Sequence, residues 1–311
     1  KATINIADHD YLIGDYNIHV YLYTNNGLLK TYVSPTFNVE MPDVDINAKD
    51  SDGTESTYNL KMTGAGTVKN VKRVRFAVWS EKNGQDDLVW YEGTKSTSSQ
   101  WTAVANITKN HKTAGAYQLH VYAITVDGKS HFMGKTTFEV TEPSMKVTVE
   151  NYQKDKGTFD VVVRDIKTPA GVSQVQVPVW AADGQKDLVW HTAKKQNDGS
   201  YKATINIADH DYLIGNYNIH VYLRTKNGVL KTYVTDGLNV SMPNVDITAK
   251  DKDGAEHTYD LKITSTGIVK NVQRVRFAVW SEMNGQDDLV WYEGTKGTSG
   301  QWAAAANIAK N

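Results

Sequence analysis

The sequence predicts an all-β fold of tandem antiparallel β-sandwich repeats of immunoglobulin or fibronectin-III type, each about 100 residues long. Three observations predict it. Short segments alternate apolar and polar residues with period two, and none shows sustained helical periodicity. Turn signals separate about seven such segments in each unit. Two related sequence units of this length alternate along the 311 residues.

The internal repeat is the main feature of the chain. Residues 1–110 align without a gap to residues 202–311, with roughly three-quarters of the positions identical, far more than a shared fold requires. A shorter period lies inside this one, because YQLHVYAI (117–124) matches YNIHVYLR (217–224). Near-identical copies indicate the repeated presentation of one surface and not a single active site.

Short segments that contain proline favour one set of domain boundaries. EMPDV, TEPSM and SMPNV recur between complete sets of strands, and proline suits an edge or a linker. This register gives the C-terminal part of a repeat (1–43), two complete repeats (44–142 and 145–242) and the N-terminal part of another (245–311). A second register, with boundaries in the loops TKSTSSQ and KKQNDGS, gives three permuted units and one leftover strand.

Each predicted strand of the first complete repeat has a core face and an outward face, because successive side chains of a strand alternate. In VRFAVWS (74–80), for example, Arg75, Ala77 and Trp79 face away from the core. In YQLHVYAI the outward residues are Gln118, His120 and Tyr122. The positions expected in the core are Tyr58, Leu60, Met62, Val74, Phe76, Val78, Trp101, Ala103, Ala105, Ile107, Tyr117, Leu119 and Val121.

The segment NGQDDLVWY (83–91) predicts a hairpin, because its Asn-Gly turn lets DLVWY pair back onto the preceding strand. If Trp79 pairs with Leu88, Ala77 faces Trp90 and both indoles lie outside. A shift of one residue moves Trp90 inward, where it would be a core tryptophan as in many immunoglobulin-like domains. Both orientations stay open at the level of the sequence.

Two tyrosines stand where a tyrosine corner is expected. Tyr117 and Tyr217 follow the turns TAG and IGN, and each opens an alternating strand. In immunoglobulin-like domains such a tyrosine donates its hydroxyl hydrogen to a backbone carbonyl a few residues upstream.

Composition excludes several classes of function. Apolar residues make up 40% of the chain and charged residues 22%, and the formal net charge is −1. This balance predicts a globular protein with no nucleic-acid or membrane partner. The chain has no cysteine, which excludes disulfides, thiolate metal sites and a cysteine nucleophile. No cofactor is expected.

An acid pair is one group that could carry chemistry. Asp86 and Asp87 are adjacent, so on a strand or tight turn they point in opposite directions, whereas glycoside hydrolysis needs two carboxylates across a cleft. The second repeat also has Lys186 in place of Asp86. We therefore predict that these residues cap a turn and are not catalytic.

The motif ADHDY, at 7–11 and 208–212, is the second such group, since carboxylate and imidazole side chains are metal ligands. The first complete repeat has Lys109, Asn110 and His111 at the aligned positions, which breaks the pattern. A polar turn is the preferred interpretation, and no metal site is predicted.

Outward aromatic residues are the better candidates for a site. Exposed indole and phenol rings beside polar groups suit carbohydrate, because ring faces stack on sugar C–H groups while polar groups fix the hydroxyls. The alternative is that these rings only cover the sheet or a junction between repeats. The candidate ligand-binding residues are Trp79, His120, Tyr122 and Trp90 in the first complete repeat, and Trp180, His220, Tyr222 and Trp190 in the second.

The motifs RFAVWSEKNGQDDLVWYEG and YQLHVYAI, with the late His/Asp turn between them, resemble the streptococcal GBS Bsp-like repeat over essentially the whole chain. The resemblance implies an extracellular, wall-associated protein and no catalytic residues. Such repeats accompany peptidoglycan hydrolase or adhesin modules and are thought to anchor them to the envelope. The second repeat departs from the motif at Lys186 and His191, so a shared ligand contact is not carried to those positions.

The predicted function is therefore non-catalytic binding of cell-wall glycan or peptidoglycan by an extracellular, cell-wall-associated protein. Two alternatives are an adhesin for a host matrix protein, which could add a strand to a sheet edge, and a stalk that only spaces a distal domain. The incomplete repeats at 1–43 and 245–311 would expose apolar faces, so we also expect end-to-end association with another molecule.

Overall fold

The computed structural model describes residues 1–64, 71–97, 99–242, 244–265, 272–283, 285–297 and 301–308. In these ranges the protein is built almost entirely from antiparallel β-sheets, so the predicted all-β fold is confirmed. Parts of three sequence predictions, at Ser98, Pro243 and Asn284, lie outside the described residues.

The strands fall into four consecutive groups. The opening segment holds a 3-10 turn at Ile6–His9 and the strands β1 (Gly14–Tyr16), β2 (His19–Tyr23), β3 (Leu29–Val33) and β4 (Phe37–Val39). The first repeat holds β5 (Val44–Asp50), β6 (Thr57–Gly64), β7 (Val71–Ser80), a 3-10 turn at Gly84–Asp87, β8 (Val89–Glu92), β9 (Thr94–Thr97), β10 (Gln100–Asn106), the helical turn α1 (Ile107–Asn110), β11 (Gly115–Thr125) and β12 (Ser130–Val140).

The same layout recurs further along the chain. The second repeat holds β13 (Ser144–Gln153), β14 (Thr158–Lys167), β15 (Val172–Trp180), a 3-10 turn at Asp183–Gln185, β16 (Val189–Thr192), β17 (Lys194–Lys195), β18 (Tyr201–Asn206), a 3-10 turn at Ile207–His210, β19 (Gly215–Thr225), β20 (Leu230–Val234) and β21 (Leu238–Val240). The last segment holds β22 (Val245–Asp251), β23 (Thr258–Ser265), β24 (Arg276–Val279), a 3-10 turn at Gly285–Asp288, β25 (Val290–Glu293), β26 (Thr295–Lys296) and β27 (Trp302–Asn307).

The first repeat is a sandwich of two four-stranded sheets. Its first sheet has the order β5-β6-β10-β9 and its second sheet the order β12-β11-β7-β8. This is the arrangement of an immunoglobulin-type sandwich in which one extra strand, β8, pairs with β7, the third strand of the repeat. The second repeat has the same two sheets, β13-β14-β18-β17 and β16-β15-β19-β20, and β21 also pairs with β19.

The core of the first repeat lies between its two sheets and follows the predicted alternation. Ala103 is partly buried and packs against this core. The other predicted core positions are buried: Tyr58, Leu60, Met62, Val74, Phe76, Val78, Trp101, Ala105, Ile107, Tyr117, Leu119 and Val121. Period-two patterning therefore located the core face of every strand that it was applied to.

The predicted tyrosine corners are present in the structure. The Tyr117 hydroxyl donates to the Thr113 carbonyl at 2.8 Å, and the Tyr217 hydroxyl donates to the Leu213 carbonyl at 2.9 Å. Both bonds reach back four residues and tie the start of a long central strand to the turn before it.

The chain forms two compact units. The first comprises residues 1–143 with 167–173 and 224–230, and the second comprises 144–166, 174–223 and 231–311. The choice between the two predicted repeat registers stays a prediction. In the opening segment, β2 and β3 form a hairpin whose ten strand residues are all exposed, and the expected end-to-end association also stays a prediction.

Candidate functional site

The outer face of the second sheet in the first repeat carries a continuous row of aromatic rings. Neighbouring centroids lie 4.6 Å apart for Trp79 and His120, 5.3 Å for His120 and Phe132, 5.5 Å for Phe132 and Tyr122, and 5.4 Å for Tyr122 and Trp90. These spacings are those of aromatic pairs in contact. We call Trp79, His120, Phe132, Tyr122 and Trp90 the aromatic row.

The pairing of β7 with β8 decides which way Trp90 points. Ala77 is the Cα partner of Trp90, and Val78 is the partner of Val89, which is the register that places both indoles outside. The Trp90 side chain is 39% exposed and stands beside Tyr122. Trp90 is therefore a surface residue of this sheet, and the alternative of a core tryptophan is wrong.

A small residue lies beneath the aromatic row. Ala77 pairs with His120 on one side and Trp90 on the other, and it is only 2% exposed although it faces outward. The large side chains of its two strand partners therefore cover its methyl group. In the second repeat the buried Pro178 occupies the same place beside Trp190.

Phe132 belongs to the aromatic row but is not among the residues that the sequence identifies. Strict alternation along β12 from Lys135, which pairs with His120, would turn Phe132 inward. A register shift lies between Val121 and Tyr122, so that Tyr122 pairs with Phe132. This β-bulge reverses the face of the strand and leaves Phe132 55% exposed.

The second repeat brings its four candidate residues together in two pairs. Trp180 and His220 have ring centroids 4.8 Å apart at an interplanar angle of 69°. Trp190 and Tyr222 are 5.3 Å apart at 52°. These values are close to the 71° of Trp79 with His120 and the 56° of Trp90 with Tyr122. The same arrangement of rings is therefore built twice.

Charged groups flank one end of the aromatic row. The Arg75 guanidinium lies over the Trp90 ring, with 4.5 Å between its Cζ atom and the ring centroid, a cation–π contact. Arg75 Nε is 2.9 Å from Glu92 Oε1, and Arg73 Nε is 3.7 Å from Glu92 Oε2. We call Arg73, Arg75 and Glu92 the arginine clasp.

His120 adds a polar group at the centre of the aromatic row. Partial burial lowers the pKa of His120, and the nearby Lys135 ammonium lowers it further. The imidazole is therefore neutral at neutral pH, so one ring nitrogen donates a hydrogen bond and the other accepts one. A neutral imidazole between rings can bind a hydroxyl group in either sense.

Of the two residues of the predicted acid pair, Asp87 caps the turn as expected, whereas Asp86 is exposed. Asp87 accepts hydrogen bonds from the Ser80 backbone N–H at 2.9 Å and from the Ser80 hydroxyl at 2.7 Å. Asp187 accepts from the N–H groups of Ala181 and Ala182. Burial acts to raise the pKa of Asp187, but these N–H groups outweigh it and the pKa is lowered. The turn itself is a 3-10 turn over Gly84–Asp87 and not a two-residue hairpin turn.

In each repeat the turn before the tyrosine corner places one imidazole against that tyrosine. His210 contacts Tyr217 edge-on at 5.3 Å, and His111 contacts Tyr117 in the same way at 5.3 Å, although the two histidines are one position apart in the alignment. The imidazole is thus kept in the first repeat, where the sequence alignment shows the pattern as broken. Within the described ranges, no cluster of three or more His, Asp or Glu side chains could hold a metal ion.

The different turns explain the shift by one residue. In the first repeat Asn106 accepts from the N–H of Lys109 and caps an α-helical turn. In the second repeat Asn206 accepts from the N–H of Ala208 and caps a 3-10 turn. The wider turn uses one more residue before its histidine reaches the tyrosine.

Among the described residues, no helix is long and apolar enough to cross a bilayer.

Three solved structures with a weak likeness to the chain are a deacetylase, a pullulanase and TarS. A polysaccharide deacetylase from Bacillus cereus, BC0361, is 13% identical, with a TM-score of 0.28, over 33% of this chain and 31% of that one. The Group B Streptococcus pullulanase SAP is 10% identical, with a TM-score of 0.24, over 62% of this chain and 23% of that one. S. aureus TarS is 10% identical, with a TM-score of 0.24, over 87% and 36%. At these scores the likenesses carry no argument.

No curated protein matches the chain. A family model does match it. The model of the GBS Bsp-like repeat matches residues 47–138, 148–237 and 248–311. The matched model is that of a repeat. Because these three tandem matches cover most of the chain, the protein belongs to the GBS Bsp-like repeat family.

Proposed function

We propose that this repeat array is a non-catalytic module that binds cell-wall glycan and so anchors an extracellular streptococcal surface protein or peptidoglycan hydrolase. The observation that carries the proposal is the aromatic row: five rings in contact share the outer face of one sheet, and the second repeat builds the same two ring pairs.

The chemistry of the aromatic row suits a saccharide chain. Aromatic rings offer apolar surface to sugar C–H groups, and a row of them along a sheet face can follow an extended polymer. His120 supplies a hydrogen-bond donor and acceptor for hydroxyls, and the side-chain amide of Gln118 lies beside it on the same face, where it donates to Glu81. A shallow face of this kind gives each repeat a weak affinity.

Repetition compensates for weak single contacts. When two binding faces are linked covalently, the second contact forms at an effective concentration in the millimolar range, so retention exceeds that of one face by about 10² or more. Four ring pairs on two repeats provide that multiplicity.

The proposal is tested by sedimenting the full chain with purified streptococcal walls. The variant Trp79→Ala/Trp180→Ala removes one ring from each repeat and should lower the bound fraction several-fold. Val104→Ala is the matched control: Val104 is an exposed residue of the first sheet, and the chain itself carries alanine at the aligned Ala305. Unchanged retention of the double variant on walls would refute the proposal. Retention on immobilised matrix protein alone would favour an adhesin.

A further inference from the structure

The faces of the repeats differ at the tryptophan of the LVW motif. In the first repeat the arginine clasp surrounds Trp90, whereas the positions aligned with Arg73, Arg75 and Glu92 are Gln174, Gln176 and Thr192 in the second repeat. Thr192 pairs with Gln176 as Glu92 pairs with Arg75, so the aligned residues occupy equivalent places in the sheet. The substitution is therefore a change of chemistry at a fixed site.

The arginine clasp is built a second time, in the last segment. The Arg276 guanidinium lies over the Trp291 ring at 4.4 Å, and Arg276 Nε is 3.1 Å from Glu293 Oε1. Arg274 Nε donates to Glu293 Oε2 at 2.9 Å. This repetition at an interval of 201 residues shows that the clasp is a regular feature of one of the two alternating units.

The two faces offer different groups to a ligand. In the first repeat a guanidinium covers one side of Trp90, and two arginines share one carboxylate, which leaves an unbalanced positive charge beside the ring. Lys135, paired with His120, adds another cation, while Glu81 lies at the far end beside Gln118. In the second repeat the exposed Arg224 shares the outward face of β19 with Tyr222, but among the described residues no guanidinium lies over Trp190 and no carboxylate pairs at the clasp positions.

We propose that the clasp-bearing face binds a saccharide polymer that carries carboxylate or phosphate groups. This rests on the proposed glycan binding. Planar guanidinium groups bind carboxylate and phosphate through paired hydrogen bonds, which are among the strong ones in proteins.

The chain supplies its own neutral version of the clasp. We would replace the clasp by the residues of the second repeat, in both places where it occurs; this swap variant is Arg73→Gln, Arg75→Gln, Glu92→Thr, Arg274→Gln, Arg276→Gln and Glu293→Thr. It lowers the net charge by two. A matched control, Lys61→Gln/Lys262→Gln, lowers the net charge by the same amount at exposed positions of the other sheets.

The test measures the affinity of the full chain for three soluble probes: chitohexaose as the neutral saccharide, hexagalacturonate as the carboxylate polymer and poly(glycerol phosphate) as the phosphate polymer. The swap variant should lose roughly tenfold or more in affinity for an anionic probe, because hydrogen bonds to charged groups are lost. It should bind chitohexaose within about twofold of the parent, and the control should behave as the parent does, since exposed distant charges are screened.

The outcomes separate this inference from the proposed function. A loss confined to hexagalacturonate or to poly(glycerol phosphate) supports the inference and identifies the acidic group. The inference is overturned if the parent and the swap variant bind each of the three probes with the same affinity. It is also overturned if the lysine control loses as much affinity for the anionic probes as the swap variant does. If the parent sediments with walls through its tryptophans yet binds neither anionic probe, the inference fails while the proposed function stands.

Discussion

Ala77 and Trp90 are Cα partners on adjacent antiparallel strands, and this pairing places Trp90 on the outer face of the sheet. The ring lies over the sheet, where the Ala77 methyl group is covered, and not in the core between the two sheets. Because side chains alternate along a strand, the same pairing also puts Trp79 outside. The orientation of both indoles thus follows from one register.

The outward position of Trp90 predicts a small effect on stability. Trp90→Ala should change the free energy of unfolding of the first repeat by less than about 1 kcal/mol, whereas Trp101→Ala should lower it by about 3 kcal/mol or more, because Trp101 is buried in the core. Hydrogen exchange of the amides of β10 and β11 measures both. Equal losses in the two variants would mean that Trp90 is also a core residue.

Asp87 should matter to stability and Asp86 should not. Asp87→Ala removes a carboxylate that accepts two hydrogen bonds from Ser80, and hydrogen bonds to charged groups contribute about 1.5–3 kcal/mol each. We expect Asp87→Ala to destabilise the first repeat by about 2 kcal/mol or more. The exposed Asp86→Ala is the matched control and should stay within about 0.5 kcal/mol of the parent. Comparable effects at both positions would contradict the assignment of a turn cap.

His111 predicts acid sensitivity of the first repeat. Burial lowers the pKa of His111, against the opposing effect of the Asp87 carboxylate. In the unfolded chain His111 binds a proton with the usual histidine pKa of about 6.5, whereas in the folded chain it binds a proton only at lower pH. The unfolded state carries more protons in that interval, so the free energy of unfolding decreases as the pH falls below about 6.5 toward the folded pKa.

The measurement is the pH dependence of hydrogen-exchange protection in β11, corrected for intrinsic exchange rates. Protection should decrease between about pH 7 and pH 5 in the parent. His111→Gln should flatten this slope, even if it also lowers stability at neutral pH. An identical slope in the two proteins would show that another group is responsible.

The bulge in β12 predicts an unusual sensitivity at Gly134. Its φ of +144° lies in a region that favours glycine, and an added Cβ would lie 3.0 Å from Ile46 Cδ1. Gly134→Ala should destabilise the first repeat by about 1–3 kcal/mol, since it adds a tight contact to backbone strain. Gly128→Ala is the control: its φ is +83° but its added Cβ would meet nothing within 4 Å, so its loss should be smaller. The reverse order of these two effects would contradict the geometry at the bulge.

Much of this fold could be predicted from the sequence because alternation is a local property. Tyr117 and Leu119 are buried as their spacing in YQLHVYAI requires, and the tyrosine corner follows from the turn before Tyr117. The second ring pair, Trp180 with His220, was likewise expected from its alignment with the first.

The parts that the sequence did not predict depend on departures from regular geometry. Phe132 joins the aromatic row only because a bulge reverses the face of β12, and a strict period of two cannot indicate where such a bulge occurs. His111 and His210 reach equivalent places from different turns, which alignment by position cannot reveal. The glycine at 134 was the one local signal for the bulge, since glycine inside a strand often marks one.

The most direct test of glycan binding by the aromatic row is a ¹⁹F NMR spectrum in which each of the eight tryptophans gives its own signal. In the full chain labelled with 5-fluorotryptophan, solubilised streptococcal wall glycan should shift the ¹⁹F signals of the outward-facing indoles of the two repeats, Trp79, Trp90, Trp180 and Trp190. The signals of the buried Trp101 and Trp302 should stay in place and serve as internal controls. Saturable shifts confined to the outer indoles are the predicted result. Unchanged outer indoles at a glycan concentration where the chain sediments with walls would contradict glycan binding by the aromatic row.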